Sequence, residues 1–251
     1  MPELTSPATG ITTVLFDLDD TLFDHVNTAR AALAATAAAR ASLQTVDLEQ
    51  LYQQYSEVLE EVHPLVMKGH YTYEVARQLR FQRLVAPYEP QPATPADIAL
   101  LAEQHYAHYR RLRRPVPGAL ALLEALKLNY RIGIVTNNRT AEQEDKLQFL
   151  GMSHLVDALI TSEEVGVLKP DPRIYEVALH RLHATPAETV MVGDNWQADV
   201  VGAAAVGIRP LWLNRFGAVR PLARMAEITS LEPLAEIYQK ITVPSRSVSL
   251  A

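Results

Sequence analysis

Of the 251 residues, 48% are hydrophobic and 21% are charged, which is typical of a globular protein with a buried core and excludes a disordered or fibrous chain. The formal net charge of −6 provides no basic field for nucleic acid or anionic lipid, and the absence of cysteine excludes disulfides, a thiol nucleophile and a cysteine–zinc site. The first ten residues lack the basic start and apolar stretch of a secretion signal, and no apolar run approaches the ~20 residues that span a bilayer. We therefore expect a soluble cytoplasmic protein that binds neither nucleic acid polymers nor membranes, and the oligomeric state stays open.

The first part of the chain predicts one strand followed by a long helical segment. Residues 11–16 form a short apolar, partly β-branched run, which is typical of a buried parallel strand. From residue 22 to 114 apolar residues recur at helical spacing and no strand pattern is present. This segment predicts a bundle of about four helices, with a proline-rich loop at 87–95.

After a stiff connector at 114–118 the pattern alternates between strands and helices. The predicted strands are 131–135, 158–160, 189–192 and 209–213, and the predicted helices are 120–128, 141–150, 173–183 and 198–206. Such alternation predicts right-handed crossovers and a parallel sheet that is covered on both faces. Residues 243–251 are predicted to form a loose tail.

Together these patterns predict an α/β fold with two domains. Residues 1–21 and 115–251 form a Rossmann-like parallel-sheet core domain, and residues 22–114 form an α-helical domain inserted after the first strand. A long insertion at the sheet edge where such folds bind ligands indicates a lid or cap.

Four polar clusters fall where predicted strands end or helices begin. Each alone has an ordinary explanation as a helix cap, a turn or a surface lysine. Together they bring carboxylates, a hydroxyl and an ammonium group to one sheet edge. Clustered carboxylates are unfavourable unless a cation or a proton neutralises part of their negative charge. A hard divalent ion with oxygen ligands, most simply Mg²⁺, would do so. The clusters are Asp17-Leu18-Asp19-Asp20-Thr21, Thr136-Asn137-Asn138, Lys169-Pro170-Asp171 and Gly193-Asp194-Asn195 with Asp199.

These residue types are suited to phosphoryl transfer. A carboxylate can attack phosphorus and form an aspartyl-phosphate, and a second carboxyl two residues along can protonate the leaving oxygen and later activate water. A metal ion and a lysine neutralise the phosphoryl charge, while a threonine hydroxyl and backbone N–H groups hold its oxygens.

In sequence order, the four clusters resemble the four motifs of the haloacid dehalogenase superfamily. The resemblance covers the core, roughly residues 11–22 and 115–240, and the inserted segment is similar to the family's α-helical cap in position and helix content. It implies Asp17 as the nucleophile and Asp19 as the general acid/base. Thr136 and Asn137 would bind the phosphoryl group, and Lys169 would neutralise both nucleophile and phosphoryl charge.

The same resemblance implies a Mg²⁺ site. Asp194 would bind the ion together with the Asp17 carboxylate and the Asp19 backbone carbonyl. Asn195 and Asp199 would lie behind these ligands or contact a metal-bound water.

Asp19 favours phosphate chemistry over the dehalogenase branch, whose members lack an acid at that position. The phosphonate-cleaving branch uses a cap lysine, for which Lys68 is the candidate. We therefore expect a Mg²⁺-dependent phosphatase of small phosphorylated metabolites such as nucleotides or sugar phosphates. A sugar-phosphate mutase and a non-catalytic metal- and phosphate-binding module stay as alternatives.

Substrate choice is poorly specified by the sequence. Polar and aromatic residues of the helical segment are candidates to face a substrate, although packing within the bundle is the favoured explanation for them. Two residues after the last predicted strand could line the same sheet edge. The candidates are His25, Lys68, His70, Tyr71, Tyr73 and Arg77 in the helical segment, and Asn214 and Arg215 after the strand.

Overall fold

A computed structural model describes residues 10–219 and 225–243. The predicted tail from residue 244 onward and the first nine residues lie outside these ranges. Internal contacts divide the chain into two compact units, of which one is His25–Arg113 and the other takes the residues up to Asp24 and from Arg114 onward. The predicted domain boundaries, at 21/22 and 114/115, lie within three residues of these divisions.

The larger unit contains a parallel sheet, which confirms the predicted α/β class. Its strands are β1 (Thr13–Phe16), β2 (Arg131–Thr136), β3 (Ala158–Thr161), β4 (Thr189–Gly193), β5 (Arg209–Leu213) and β6 (Glu227–Ile228). Within the described residues their order is β3-β2-β1-β4-β5-β6, and all neighbouring pairs are parallel. β1 is fully buried between β2 and β4, which is why it appears as a continuous apolar run. The two-residue β6 was not predicted, because so short a strand carries no periodicity.

The smaller unit is helical, as the spacing of its apolar residues predicts. Its helices are α1 (His25–Ala39), α2 (Leu48–Met67), α3 (Tyr73–Val85) and α4 (Pro95–Arg111). Side chains of Asp47, Thr72 and Thr94 cap the last three by accepting hydrogen bonds from backbone N–H groups in the first turn. The unit has its own apolar core, which includes Leu33, Leu43, Leu51, Phe81, Leu84 and Leu101.

Further helices of the larger unit are α5 (Ala119–Lys127), α6 (Thr140–Phe149), α7 (Ser162–Val165), α8 (Pro172–Arg181), α9 (Gly202–Ala205) and α10 (Leu234–Thr242). The single helix predicted at 198–206 is wrong in one respect, because a π-helical segment, Trp196–Val201, precedes the short α9. This wider turn contains Asp199, whose carboxylate turns back to accept a hydrogen bond from the Asn195 backbone N–H at 3.0 Å. Over residues 10–219 and 225–243, no helix combines the length and apolar character that crossing a membrane requires.

A histidine in α4 is buried in the core of the helical unit. His105 contacts the rings of Tyr55 and Phe81, with ring centroids 5.2 and 4.8 Å away, and its Nδ1 is 3.1 Å from the Thr36 hydroxyl. Burial lowers the pKa of His105 to about 3, and the positive charges of Arg80, His108 and Arg77 act in the same direction. The folded protein therefore holds this imidazole in its neutral form.

We predict that this neutral histidine makes the protein less stable as the pH falls. In the unfolded chain the imidazole binds a proton below about pH 6.5, whereas the folded protein does not, so stability is lost below that pH by up to about 1.4 kcal/mol per pH unit. Urea unfolding of His105→Phe between about pH 6.5 and 4.5 should show a flatter pH dependence than wild type. His70→Phe, at an exposed position, should keep the wild-type slope, and identical slopes for all three proteins would contradict the prediction.

Candidate active site

The predicted polar clusters lie together at the carboxyl edge of the sheet. Asp17 directly follows β1, Thr136 ends β2, and Asp194 follows β4. These three strands are neighbours, with Phe16 of β1 in register with Ile134 of β2 and Val192 of β4. The strand order reverses beside β1, which is the position where open α/β sheets bind ligands.

The centre of the site is a buried ion cluster around Lys169. The Lys169 Nζ donates to Asp17 Oδ1 at 2.7 Å and to Asp199 Oδ1 at 2.6 Å. The side chains of Lys169 and Asp199 are 2% and 1% exposed, and that of Asp17 is 10% exposed. One ammonium group therefore holds two carboxylates almost out of contact with water.

Burial and neighbouring charge shift the pKa values of this cluster. Burial raises the pKa of Asp17 to about 7; the Lys169 ammonium opposes this shift, and the negative charges of Asp199 and Asp19 add to it. Although burial alone lowers the pKa of Lys169, attraction to Asp17 and Asp199 raises it above its ordinary value. Removal from water also raises the pKa of Asp194, and repulsion from the Asp17 and Asp199 carboxylates reinforces the shift. The raised pKa values of Asp17 and Asp194 show that the cluster favours protonation or a bound cation, because its one lysine does not neutralise all of its carboxylates.

Asn137 holds the backbone that carries Lys169. Its Oδ1 accepts from the Lys169 backbone N–H at 2.6 Å, and its Nδ2 donates to the Lys169 carbonyl at 3.0 Å. Both ends of the amide are thus committed to this backbone. The side chain of Asn137, which the sequence analysis assigned to phosphoryl binding, is therefore directed at the lysine segment.

Gly193 allows Asp199 to approach the end of β4. A Cβ at residue 193 would lie 2.3 Å from the Asp199 carboxyl carbon, so a larger residue would force the two segments apart. Asn195 accepts from the Ala198 N–H through its side chain and donates its own N–H to Asp199. Asn195 and Asp199 thus support each other, and Asp199 in turn supports Lys169.

Three carboxylates are arranged so that they could hold a cation. Asp17, Asp194 and Asp199 each offer an oxygen within 4.8 Å of the others. With all three carboxylates ionised, the one ammonium of Lys169 leaves two negative charges uncompensated, which fits a divalent ion with oxygen ligands. Both oxygens of Asp199 accept hydrogen bonds, Oδ1 from Lys169 and Oδ2 from the Asn195 N–H, so Asp17 and Asp194 are better placed to be ligands.

The loop after β1 is held in place from several sides. The Thr21 hydroxyl donates to Asp194 Oδ1 at 3.3 Å, and Asp20 has a positive φ of 61°. Because α1 begins only at His25, neither Asp20 nor Thr21 caps it. Arg215 donates to the Asp20 carbonyl at 3.1 Å and to Asp24 Oδ1 at 2.8 Å, so it braces this loop from the segment after β5.

Asp19 contacts two residues of α6 that the sequence analysis did not single out. Lys146 Nζ donates to Asp19 Oδ1 at 2.5 Å, and Gln143 Nε2 donates to Asp19 Oδ2 at 3.0 Å. The same Gln143 nitrogen donates to the Thr136 hydroxyl at 2.6 Å, and Asn138 Nδ2 is 3.4 Å from Asp19 Oδ2.

A sequence signal for these two residues exists. Gln143 and Lys146 share the buried face of α6 with Leu147 and the adjoining Leu150. On such a face helical spacing predicts apolar residues, so two polar residues at these positions indicate a specific role.

The candidate residues of the helical unit lie either in an exposed turn or against other side chains of that unit. Lys68, His70 and Tyr71 are exposed in the turn between α2 and α3. His25 Nδ1 is 2.7 Å from the Tyr109 hydroxyl, and the Arg77 guanidinium lies 3.5 Å from the centre of the Tyr106 ring.

Comparison with known proteins gives consistent matches over most of the chain. Residues 11–207 match the model of the haloacid dehalogenase-like hydrolases. The chain is 33% identical to the glyceraldehyde 3-phosphate phosphatase of Pyrococcus abyssi, in an alignment that covers 81% of this chain and 82% of the relative. It is 29% identical to the pyrimidine 5′-nucleotidase YjjG of Escherichia coli, in an alignment that covers 90% of this chain and 97% of the relative. A magnesium-bound crystal structure of the HAD-hydrolase YfnB from Bacillus subtilis superposes with a TM-score of 0.73 at 25% identity, covering 92% of this chain and 100% of that one.

We predict that the buried lysine is essential for the stability of the site. In buffer with a chelator, Lys169→Met should lower the free energy of unfolding by about 3–5 kcal/mol, because two buried carboxylates lose their cation. Adding Asp199→Asn should recover part of the loss by removing one uncompensated charge. Urea unfolding of Lys169→Met, Asp199→Asn and the double variant measures these effects. If the changes in unfolding free energy of the two single variants simply add up in the double variant, the coupling between Lys169 and Asp199 is contradicted.

Proposed function

The chain belongs to the haloacid dehalogenase-like hydrolases, and on this basis we propose that it hydrolyses phosphate monoesters of small metabolites through an aspartyl-phosphate on Asp17. The observation that carries the proposal is a buried carboxylate, Asp17, held by Lys169, with a second carboxyl, Asp19, two residues farther along the same loop. The reaction has two steps, formation and hydrolysis of the aspartyl-phosphate, and together they require a nucleophile and a proton donor at this spacing.

In the first half-reaction, an Asp17 carboxylate oxygen attacks phosphorus. The bond from phosphorus to the substrate oxygen breaks, and Asp19 gives its proton to that leaving oxygen. The Thr136 hydroxyl and the backbone N–H of Asn137 hold the phosphoryl oxygens, and Lys169 neutralises charge on the nucleophile and the phosphoryl group.

In the second half-reaction, Asp19 takes a proton from a water molecule. The resulting hydroxide attacks phosphorus, the bond from phosphorus to Asp17 breaks, and inorganic phosphate leaves. Asp19 thus returns to its protonated form and Asp17 to its carboxylate form, so the enzyme is ready for another substrate.

Mg²⁺ is the cation proposed for the acidic cluster. The Asp17 carboxylate, the Asp194 carboxylate and the Asp19 backbone carbonyl would hold it, with Asp199 and Asn195 behind them. When bound, the ion neutralises charge on the transferring phosphoryl group. The two uncompensated charges of the cluster support this assignment, as does the magnesium in the YfnB structure.

The substrate class is inferred from the named relatives. They are phosphatases of a triose phosphate and of a pyrimidine nucleotide, which share a phosphate monoester on a small polar body. We propose that the helical unit, residues 22–114 in our domain assignment, acts as a cap that selects among such substrates. Hydrolysis of a carbon–halogen bond leaves no oxygen to be protonated, so an acid at position 19 favours phosphate esters.

We predict Asp17-dependent phosphate release from small monoesters. The panel should contain nucleoside monophosphates, triose and sugar phosphates, phosphoglycolate and 4-nitrophenyl phosphate, assayed with Mg²⁺. Asp17→Asn should lower kcat by at least about 10⁴-fold while the thermal transition is kept, because loss of a nucleophile can cost about 10⁶-fold. Phosphate release that persists in Asp17→Asn would remove Asp17 from this role, whereas turnover without phosphate release would indicate a mutase.

We predict that Mg²⁺ stabilises the protein through Asp194. At 100 times its Kd, the ion should add about 2.7 kcal/mol to the free energy of unfolding of wild type. Asp194→Asn should be more stable than wild type in a chelator, because one repulsive carboxylate is gone, and should lose the Mg²⁺-induced shift of Tm. Glu124→Gln, an equal charge change at an exposed position of α5, should keep the full shift. A full shift in Asp194→Asn would remove it from the ligand set.

A further inference from the structure

We propose that Gln143 and Lys146 of α6 are positioning residues that fix the Asp19 carboxylate and the Thr136 hydroxyl for catalysis. The inference rests on the proposed phosphatase function and adds two residues to its machinery. Residues three apart on a helix share one face, so a single turn of α6 presents both side chains to the loop after β1.

Lys146 fixes one oxygen of Asp19. Its Nζ lies 2.5 Å from Asp19 Oδ1, and the lysine side chain is 7% exposed against 28% for Asp19. The ammonium also lies 5.0 Å from the centre of the Phe23 ring, a favourable cation–π distance. A buried lysine with these contacts has little rotational freedom, so the Asp19 oxygen that it binds is fixed as well.

Gln143 ties Asp19 to Thr136. Its one amide nitrogen carries two hydrogens, which account for the bonds to Asp19 Oδ2 at 3.0 Å and to Thr136 Oγ1 at 2.6 Å. The reverse orientation of the amide would place its oxygen against the Asp19 carboxylate, which is repulsive. The orientation with both hydrogens donated is therefore the favourable one.

This orientation leaves a buried oxygen without a partner. Gln143 is fully buried, and its Oε1 finds no hydrogen-bond partner among residues 10–219 and 225–243. Leaving such an atom unsatisfied costs about 1–3 kcal/mol, so glutamine at this place is explained better by its two donors than by stability.

The arrangement also sets the direction of the Thr136 hydroxyl. Since Thr136 Oγ1 accepts a hydrogen from Gln143, its own hydrogen is left to be donated elsewhere. A phosphoryl oxygen at the end of β2 is an acceptor of the required kind. Gln143 thus makes Thr136 a donor toward the substrate while it holds the acid/base Asp19.

The test compares substrates with good and poor leaving groups. 4-Nitrophenolate leaves without a proton, whereas an alkoxide needs one from Asp19. Gln143→Met and Lys146→Met should therefore lower kcat/KM for the best alkyl phosphate of the panel by about 10- to 100-fold, as part of the 10²–10⁴-fold that acid–base catalysis contributes. For 4-nitrophenyl phosphate we expect a smaller loss, less than about threefold for Lys146→Met.

Asp19→Asn is the reference variant. It should also lose more activity toward the alkyl ester than toward 4-nitrophenyl phosphate, and by a larger factor than the other variants. Lys146→Arg retains a cation and should recover part of the activity toward the alkyl ester. Gln148→Met, at an exposed position of α6, and Lys240→Met, on α10, are matched controls that should behave as wild type. Thermal unfolding verifies the fold of each variant, and if Lys146→Met does not fold, Gln143→Met and Lys146→Arg still decide the question.

A selective loss on the alkyl ester supports the positioning role. Equal losses on both esters in Lys146→Met would show that this residue only stabilises the fold and would overturn the proposal, as would wild-type rates or faster turnover in either variant. If wild type itself shows no Asp17-dependent turnover of any ester, the proposed phosphatase function fails first and the positioning role fails with it.

Discussion

The constraint on which the structure depends is the accumulation of negative charge at the ends of β1 and β4. Asp17, Asp194 and Asp199 lie within 4.8 Å of one another around a single lysine. Such an arrangement is unfavourable by itself, because each buried carboxylate loses hydration and repels the others. The fold must therefore supply the opposing contacts, and much of the local architecture is explained by that need.

The parallel sheet supplies these contacts by bringing segments that are distant in sequence to one edge. β2, β1 and β4 are neighbours in space although they are separated in sequence, so each contributes a short polar segment without a long loop. Small local devices then fix the details. Asn137 clamps the backbone of Lys169, and Gly193 makes room for Asp199 beside the strand end.

Much of this could be predicted from the sequence, because strand ends and their polar residues are local features. The sheet class and the position of Asp17, Thr136 and Asp194 at one edge follow from apolar runs that end in polar clusters, whereas Lys169 lies in the segment before α8. The π-helical turn at Trp196–Val201 could not be predicted, because it coincides with a long-range contact between Asp199 and Lys169. Gln143 and Lys146 share a helical face with Leu147 and Leu150, which indicates burial, but only the fold shows that this face reaches Asp19.

The two units differ in the character of their interiors. In the larger unit, the polar residues of the sheet edge are bound to one another, so their chemistry is fixed by contacts within that unit. In the helical unit, Lys68, His70 and Tyr71 are exposed, while a separate apolar core with a neutral His105 maintains the bundle. Substitutions in the exposed turn therefore disturb neither core. If the helical unit selects the substrate, as we propose, substitutions there change the substrate while the reaction is kept; relatives that align over most of the chain are indeed named for different phosphate esters.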